Sequence, residues 1–210
     1  MKHQYAPANM TTDTAEEVAS VLQGRLSTLI DLSLTLKHIH WNVVGMGFVA
    51  VHELMDQQTN SVRTMVDDLA ERIATLGGVA AGLAGQVSDM RDADDDYELG
   101  RAEVMAHLGA LDKVYERVTA GHRSAIEEVS ELDPVTEDLL IGQAGELEMA
   151  HWFVRAHISN VGGELATAGA DTQLEAAVTA AAEIQPGVEL TDDSNTDSES
   201  PTGQTASQPA

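Results

Sequence analysis

Apolar residues recur along the first third of the chain at a helical interval. Leu22, Leu26, Leu29, Leu36 and Val43 follow one another at three, four or seven positions, which places them on one stripe of a helix. The helix is predicted to start at Asp13 or Thr14, with Glu16 and Glu17 in its first turn, where acids suit the helix dipole. Gly45 and Gly47 break the pattern. A second periodic stretch runs from about Val49 to Leu76 and stops at Gly77-Gly78, a glycine C-terminal cap. A third covers about 97–128, with Val104, Leu108, Leu111, Val114, Tyr115 and Val118 on its apolar face. Asp133-Pro134 reads as an N-cap followed by proline at the first helical position, opening a fourth helix that reaches about Val161 before Gly162-Gly163.

Four helices of similar length, each roughly 40 Å or more at 1.5 Å per residue, imply an all-α four-helix bundle. The Gly- and Asp-rich stretch 77–96, with a short apolar patch at Leu83 and Val87, suits a long crossover between helices 2 and 3. Residues 1–13 are polar and read as a flexible N-terminal arm, and the bundle occupies 14–163. Beyond it, 164–185 is Ala-rich and reads as a weak helical extension. Residues 186–210 are almost wholly polar, acidic and rich in Ser, Thr, Gly and Pro, the composition of a disordered tail.

Composition narrows the chemistry. The chain of 210 residues is 43% hydrophobic but only 3% aromatic, so its interior is built from Leu, Val, Ile, Ala and Met. It has no cysteine, which leaves His, Asp and Glu as the strong metal ligands and excludes disulfides. No apolar run suits a signal peptide or a membrane span, so cytoplasmic residence is the expectation. A formal net charge of -24 opposes tight contact with phosphate backbones and favours cations, although solubility alone also accounts for it. No Lys or Arg follows Arg155.

The candidate ligands cluster on the first two helices. His40 lies four residues beyond Leu36 on the apolar stripe, and Trp41 stands beside it. His52 and Asp56 are four apart near the start of the second helix, and Asp67 and Glu71 are four apart near its end. Each pair projects from one helix face and can offer two ligands to one cation. His52 and Asp67 are separated by about 22 Å along the axis, too far for one metal centre. If two copies of the helix pack antiparallel about a two-fold axis, the start of one meets the end of the other, and two shared sites result. The same spacings occur on ordinary solvated helices, and a histidine on an apolar stripe is often a satisfied core residue. Spacing alone leaves both readings open.

The segments KHIHWNVVG at 37–45, VHELMD at 51–56, DDLAERIATLGG at 67–78 and LEMAHWFVRAHI at 147–158 occur in an order and at intervals that closely resemble the Dps family of ferritin-like proteins, its actinobacterial branch above all. The resemblance spans about residues 15–163. It implies a ferritin-like bundle assembled into a hollow shell of twelve subunits, a homododecamer. It further implies ferroxidase activity at a dinuclear iron site, with His40, His52 and Asp56 from one subunit and Asp67 and Glu71 from its two-fold partner. Trp41 matches a tryptophan that takes up oxidising equivalents, and Lys37 a position close to the site. The implied reaction oxidises Fe(II), preferably with hydrogen peroxide, and stores Fe(III) as mineral. Acidic pores at three-fold axes would admit iron, with Asp138 and then Glu146 as the candidate pore residues.

One motif points elsewhere. Glu148 and His151 form an ExxH pair, which supplies ligands inside classical ferritin-like bundles, but that chemistry needs two such pairs and no other histidine here has Glu three residues before it. DNA-binding members of the resembled family carry basic tails. This chain has only Lys2 and His3 in its arm and an acidic C-terminus, so no strong direct DNA binding is expected without bridging divalent cations. Two other function classes remain open at this level: a nucleoid-structuring DNA-binding protein, and a metal-dependent hydrolase using the same residues.

Overall fold

The computed structural model describes residues 5–91 and 96–184. The described residues form six helices and one short sheet: α1 Thr12–Asn42, α2 Phe48–Thr75, α3 Ala84–Asp89, α4 Val104–Val129, α5 Pro134–Ile158 and α6 Gln173–Ile184, with β1 Val43–Val44 and β2 Ala102–Glu103. α1 pairs with α2 and α4 with α5, and the two hairpins close on each other as a four-helix bundle joined by the crossover 76–103. Among the described residues no helix is long and apolar enough to cross a membrane.

Local chemistry sets the helix ends. The Thr11 hydroxyl accepts from the Thr14 amide at 3.1 Å and caps α1. α2 ends in a Schellman motif: Gly77, at φ +84°, donates to the Ala74 carbonyl and Gly78 to the Ile73 carbonyl. Asp133 caps α5, accepting from the amides of Val135 and Thr136, and it is also bound by the Arg72 guanidinium from the end of α2. That ion pair ties the two hairpins together at one end of the bundle.

The predicted apolar stripes form the core. Leu22, Leu26, Leu29, Leu36 and Val43 are all buried, as are Val104, Leu108, Leu111, Val114, Tyr115 and Val118. Met55, Val62, Leu69 and Ile73 of α2 and Leu140, Leu147 and Val154 of α5 complete it. At roughly 25 cal/mol per Å² of apolar surface removed from water, this seam is the main favourable contribution to folding.

Four boundaries differ from expectation. α4 begins at Val104 rather than near 97, because Ala102–Glu103 pair in parallel with Val43–Val44 and Glu103 is extended. α5 ends at Ile158 rather than at Val161; Ser159 bridges to Leu165 in the antiparallel sense, turning the chain back. The crossover contains α3, whose Val87 is buried while Leu83 is exposed, and the Gln23 side chain of α1 holds it through both the amide and the carbonyl of Ala81.

The fourth difference concerns the ends of the chain. From Tyr5 the arm lies on the bundle: the Tyr5 hydroxyl donates to the Ala74 carbonyl at 2.8 Å, and Ala6 and Met10 pack on the core. The Tyr5 carbonyl crosses Gly77 so closely that a Cβ there would stand 2.2 Å away. α6 is docked rather than loosely appended, with Ala176, Ala177 and Ala180 buried against α4. Gly109 makes this possible, since a Cβ at that position would meet the Ala176 carbonyl at 2.3 Å. The expected disordered tail at 186–210 lies outside the described residues.

Candidate metal centre

α1 and α2 form a tight hairpin through β1 and the glycine turn, and this brings the last turn of α1 beside the first turns of α2. The final carbonyls of a helix lack intrahelical partners. Here one finds its partner in a side chain: the Nδ1–H of His52 donates to the His40 carbonyl at 3.0 Å. The His40 Nδ1–H donates in turn to the His52 carbonyl at 2.9 Å. The two rings stack with centroids 3.6 Å apart.

These reciprocal bonds have a chemical consequence. A carbonyl only accepts, so Nδ1 of each ring carries the proton, and Nε2 of each neutral ring keeps its lone pair. Both imidazoles are held in a tautomer that leaves Nε2 open to a metal, oriented by a bond to the other ring nitrogen.

Asp56, one turn beyond His52, joins the pair. Its Oδ1 lies 2.6 Å from the Lys37 ammonium and 3.4 Å from His40 Nδ1. The Lys37 hydrogen bond holds the Asp56 carboxyl below the ordinary carboxylate range, against a smaller opposing effect of desolvation and with a further contribution from the Lys37 charge. Asp56 is therefore an anion under ordinary conditions. Lys37 also lies 5.6 Å from the ring centroid of Trp41, which is 70% exposed beside His40. Phe48 packs on the other side of His52, 4.9 Å between ring centroids.

Asp67 and Glu71 are not part of this cluster. They are exposed near the far end of α2, about 22 Å along its axis from His52. Among the described residues, no group of three or more His, Asp and Glu side chains converges to hold a metal ion. One chain thus brings together His40, His52 and Asp56 and leaves the two carboxylates apart.

The Ferritin-like domain family matches residues 19–162. A relative from Mycolicibacterium smegmatis, the DNA protection during starvation protein, is 51% identical over 163 residues, which span 78% of this chain and 88% of the relative. Among solved structures, Mycobacterium smegmatis Dps superposes with a TM-score of 0.78 at 48% identity, covering 80% of this chain and 95% of that one. DpsA14 from Streptomyces coelicolor does so with a TM-score of 0.76 at 53% identity, covering 79% and 98%. The chain belongs to the Dps family of ferritin-like proteins.

Within this Dps chain the ExxH pair serves structure. Glu148 is bound to Arg123 on the surface of α4. The His151 Nε2–H donates to Asp112 Oδ1 at 2.7 Å, and its ring stacks on Tyr115. Asp112 is fully enclosed and also accepts from Arg155 Nε at 2.7 Å and from the Thr167 hydroxyl at 2.8 Å. Desolvation alone would raise its pKa; the bonds from His151, Arg155 and Thr167 prevail and hold it far below the usual range. Next to it, Tyr115 donates to Gln58 Oε1, and the Gln58 amide donates to the Ala150 carbonyl.

Sequence reading missed Asp112. The available signal was its place among Leu108, Leu111 and Tyr115, which puts a carboxylate against the core face of α4. It also missed His38, which lies on the opposite side of α1 from His40. The pore candidates Asp138 and Glu146 both lie exposed on α5, Asp138 in its second turn.

Proposed function

We propose that this protein is a mini-ferritin that oxidises Fe(II) at sites shared between two subunits and stores the resulting Fe(III) inside a twelve-subunit shell. The observation that carries the proposal is the His40–His52 pair, whose reciprocal carbonyl bonds leave Nε2 of each ring as a ligand for iron. Asp56 supplies an anionic oxygen beside them. Asp67 and Glu71 of a second copy, on the opposite end of an antiparallel α2, would complete a dinuclear site of nitrogen and oxygen donors suited to iron.

Iron and hydrogen peroxide are the substrates. The balanced step takes two Fe(II), one hydrogen peroxide and two protons to two Fe(III) and two waters. Coupling both electrons to one peroxide avoids a hydroxyl radical. DNA protection then follows from removing Fe(II) and peroxide together, in keeping with the name of the M. smegmatis relative. The chain's own groups bind iron and orient it: Nδ1–H of each ring is held by a carbonyl, Asp56 is kept ionised, and Lys37 occupies Asp56 until a metal displaces it. Trp41, exposed beside His40, would accept a stray oxidising equivalent. A net charge of -24 draws Fe(II) to the shell, and Asp138, with Glu146 further along α5, would line the entry pores.

Anaerobic addition of peroxide to Fe(II)-loaded protein, followed by absorbance, tests this reading. Wild type should oxidise iron rapidly and a His52→Ala, Asp56→Ala double variant should fall to the solution rate while remaining assembled. Equal slow rates in both would remove the proposal. Direct DNA binding is not part of the proposed role, and gel-shift in EDTA at moderate salt should give no complex; a visible complex would move a nucleoid-structuring function forward.

A further inference from the structure

The geometry of the His40–His52 pair depends on the rotational setting of the last turn of α1, and that turn is held from outside. The Asn42 side chain donates to the His38 carbonyl at 2.8 Å, and the Val43 amide donates to the Ile39 carbonyl. Both bonds lie within the turn and set its helical shape. Neither fixes its rotation against the bundle.

His38 does. It stands two residues before His40, about 200° around the helix, so it points away from α2 and toward the crossover. Its Nε2–H donates to the Leu99 carbonyl at 2.7 Å, linking the end of α1 to the segment before β2. The ring also meets Tyr97 edge-on, 5.8 Å between centroids. Tyr97 is anchored to α4, its hydroxyl 2.9 Å from Nδ1 of His107, a histidine with no solvent exposure. Tyr97 and Leu99 pack in turn on a cluster of Ala106 and Ala110 of α4 and Ala177 of α6. Just beyond, β1 pairs with β2, Val43 opposite Ala102. His38 thus joins the ligand-bearing turn to a wall built from α4, the crossover and α6.

We propose that His38 is a positioning residue for iron binding: its N–H bond to Leu99, backed by the Tyr97–His107 pair, sets the turn of α1 so that His40 and His52 stay within reach of each other's carbonyls. This inference rests on the iron-binding reading of His40, His52 and Asp56. It assigns His38 no contact with iron. Loss of the bond lets the turn rotate, the reciprocal bonds loosen, and both rings lose the orientation that makes Nε2 a ready ligand. Groups that orient metal-binding histidines are worth about 10- to 100-fold in affinity. A group acting one step further back belongs at the lower end of that range.

The test uses full-length shells, with Co(II) binding measured anaerobically and steady-state Fe(II) oxidation measured alongside. His38→Leu removes the donor. His38→Gln keeps an N–H close to the position of Nε2, and His38→Asn keeps one at shorter reach. His38→Leu should weaken Co(II) binding and raise KM for Fe(II) about 10-fold, with kcat changed by less than about twofold, and His38→Gln should restore both. A purely structural role would lower thermal stability without this KM-against-kcat split and without rescue. The proposal is overturned if His38→Leu matches wild type, or if His38→Gln is as impaired as His38→Leu. Should His38→Leu fail to assemble, the comparison passes to Gln against Asn: binding kept by Gln and weakened by Asn supports the proposal, and equal behaviour overturns it. The His52→Ala, Asp56→Ala variant separates the two levels. If wild type binds Co(II) no better than this variant, the iron site itself is wrong and the inference falls with it. If wild type binds, the double variant does not, and His38→Leu is unaffected, only the inference falls.

Discussion

Two constellations of histidine and carboxylate occur in this bundle, and they are built on opposite principles. Around Asp112 every oxygen has a donor: His151 and Arg155 converge on Oδ1 and Thr167 on Oδ2, and the carboxylate itself is buried. At the end of α1 the hydrogen bonds go to the wrong nitrogens for a sealed network. His40 and His52 spend Nδ1 on backbone carbonyls and keep Nε2 unspent, and Asp56 lies half-exposed with a displaceable ammonium. The first arrangement is finished within one chain, whereas the second, under the proposed function, is completed by a second copy. Residue types alone do not separate the two, because both contain His and Asp. Counting which lone pairs remain does.

The largest effect that bears on this contrast comes from Asp112→Ala. It would leave the buried ends of His151, Arg155 and Thr167 without a partner and should cost about 3 kcal/mol, seen as a lower midpoint in chemical denaturation. The low end of the range for buried pairs applies because part of the Arg155 side chain reaches solvent. The His52→Ala, Asp56→Ala variant should change that midpoint little while abolishing iron oxidation. A double variant as destabilised as Asp112→Ala would make the α1–α2 pair structural and erase the distinction.

A smaller effect appears with pH. Burial pushes His122 and His107 down to about 4. His122 donates from Nε2 to Gln143 at 3.2 Å and its buried Nδ1 has no partner, consistent with a neutral ring. For a group whose pKa is depressed on folding, the unfolded chain binds more protons between the two values. Stability is then complete above the unfolded value near 6.5 and is lost as pH falls toward about 4. Each histidine contributes a slope of about 1.4 kcal/mol per pH unit in that window. Denaturation midpoints measured from pH 7 to 5 should fall, and His122→Gln should flatten the decline. An unchanged slope would mean that His122 is charged in the fold. The Asp112 carboxyl itself should not titrate in this window, because it is held far below it.

Much of the bundle was legible in the linear pattern. The stripes through Leu22 to Val43 and Val104 to Val118 are buried as their period requires, and Gly77-Gly78 and Asp133-Pro134 mark helix ends by backbone chemistry that does not depend on the rest of the fold. The segment before α4 was not legible. Tyr97, Leu99 and Ala102 carry enough apolar character to extend the helical pattern, yet their backbone is claimed by β1 and by His38, partners more than fifty residues away. α6 was undervalued for a related reason. Its apolar face is made of alanines, which look weak in isolation, and its docking depends on a glycine in α4 that leaves room for close approach.

The same division holds for the site. The sequence by itself determined which residues could serve as ligands, that His52 and Asp56 share a face, and that Asp67 and Glu71 lie too far along the same helix to join them, because helical spacing is a local property of the backbone. Only the tertiary structure decided the tautomers of His40 and His52, the enclosure of Asp112 with His151, and the hold of His38 on Leu99. Those outcomes depend on which hydrogen-bonding groups are left without partners when helices meet, and that is set by the packing of distant segments rather than by any one of them.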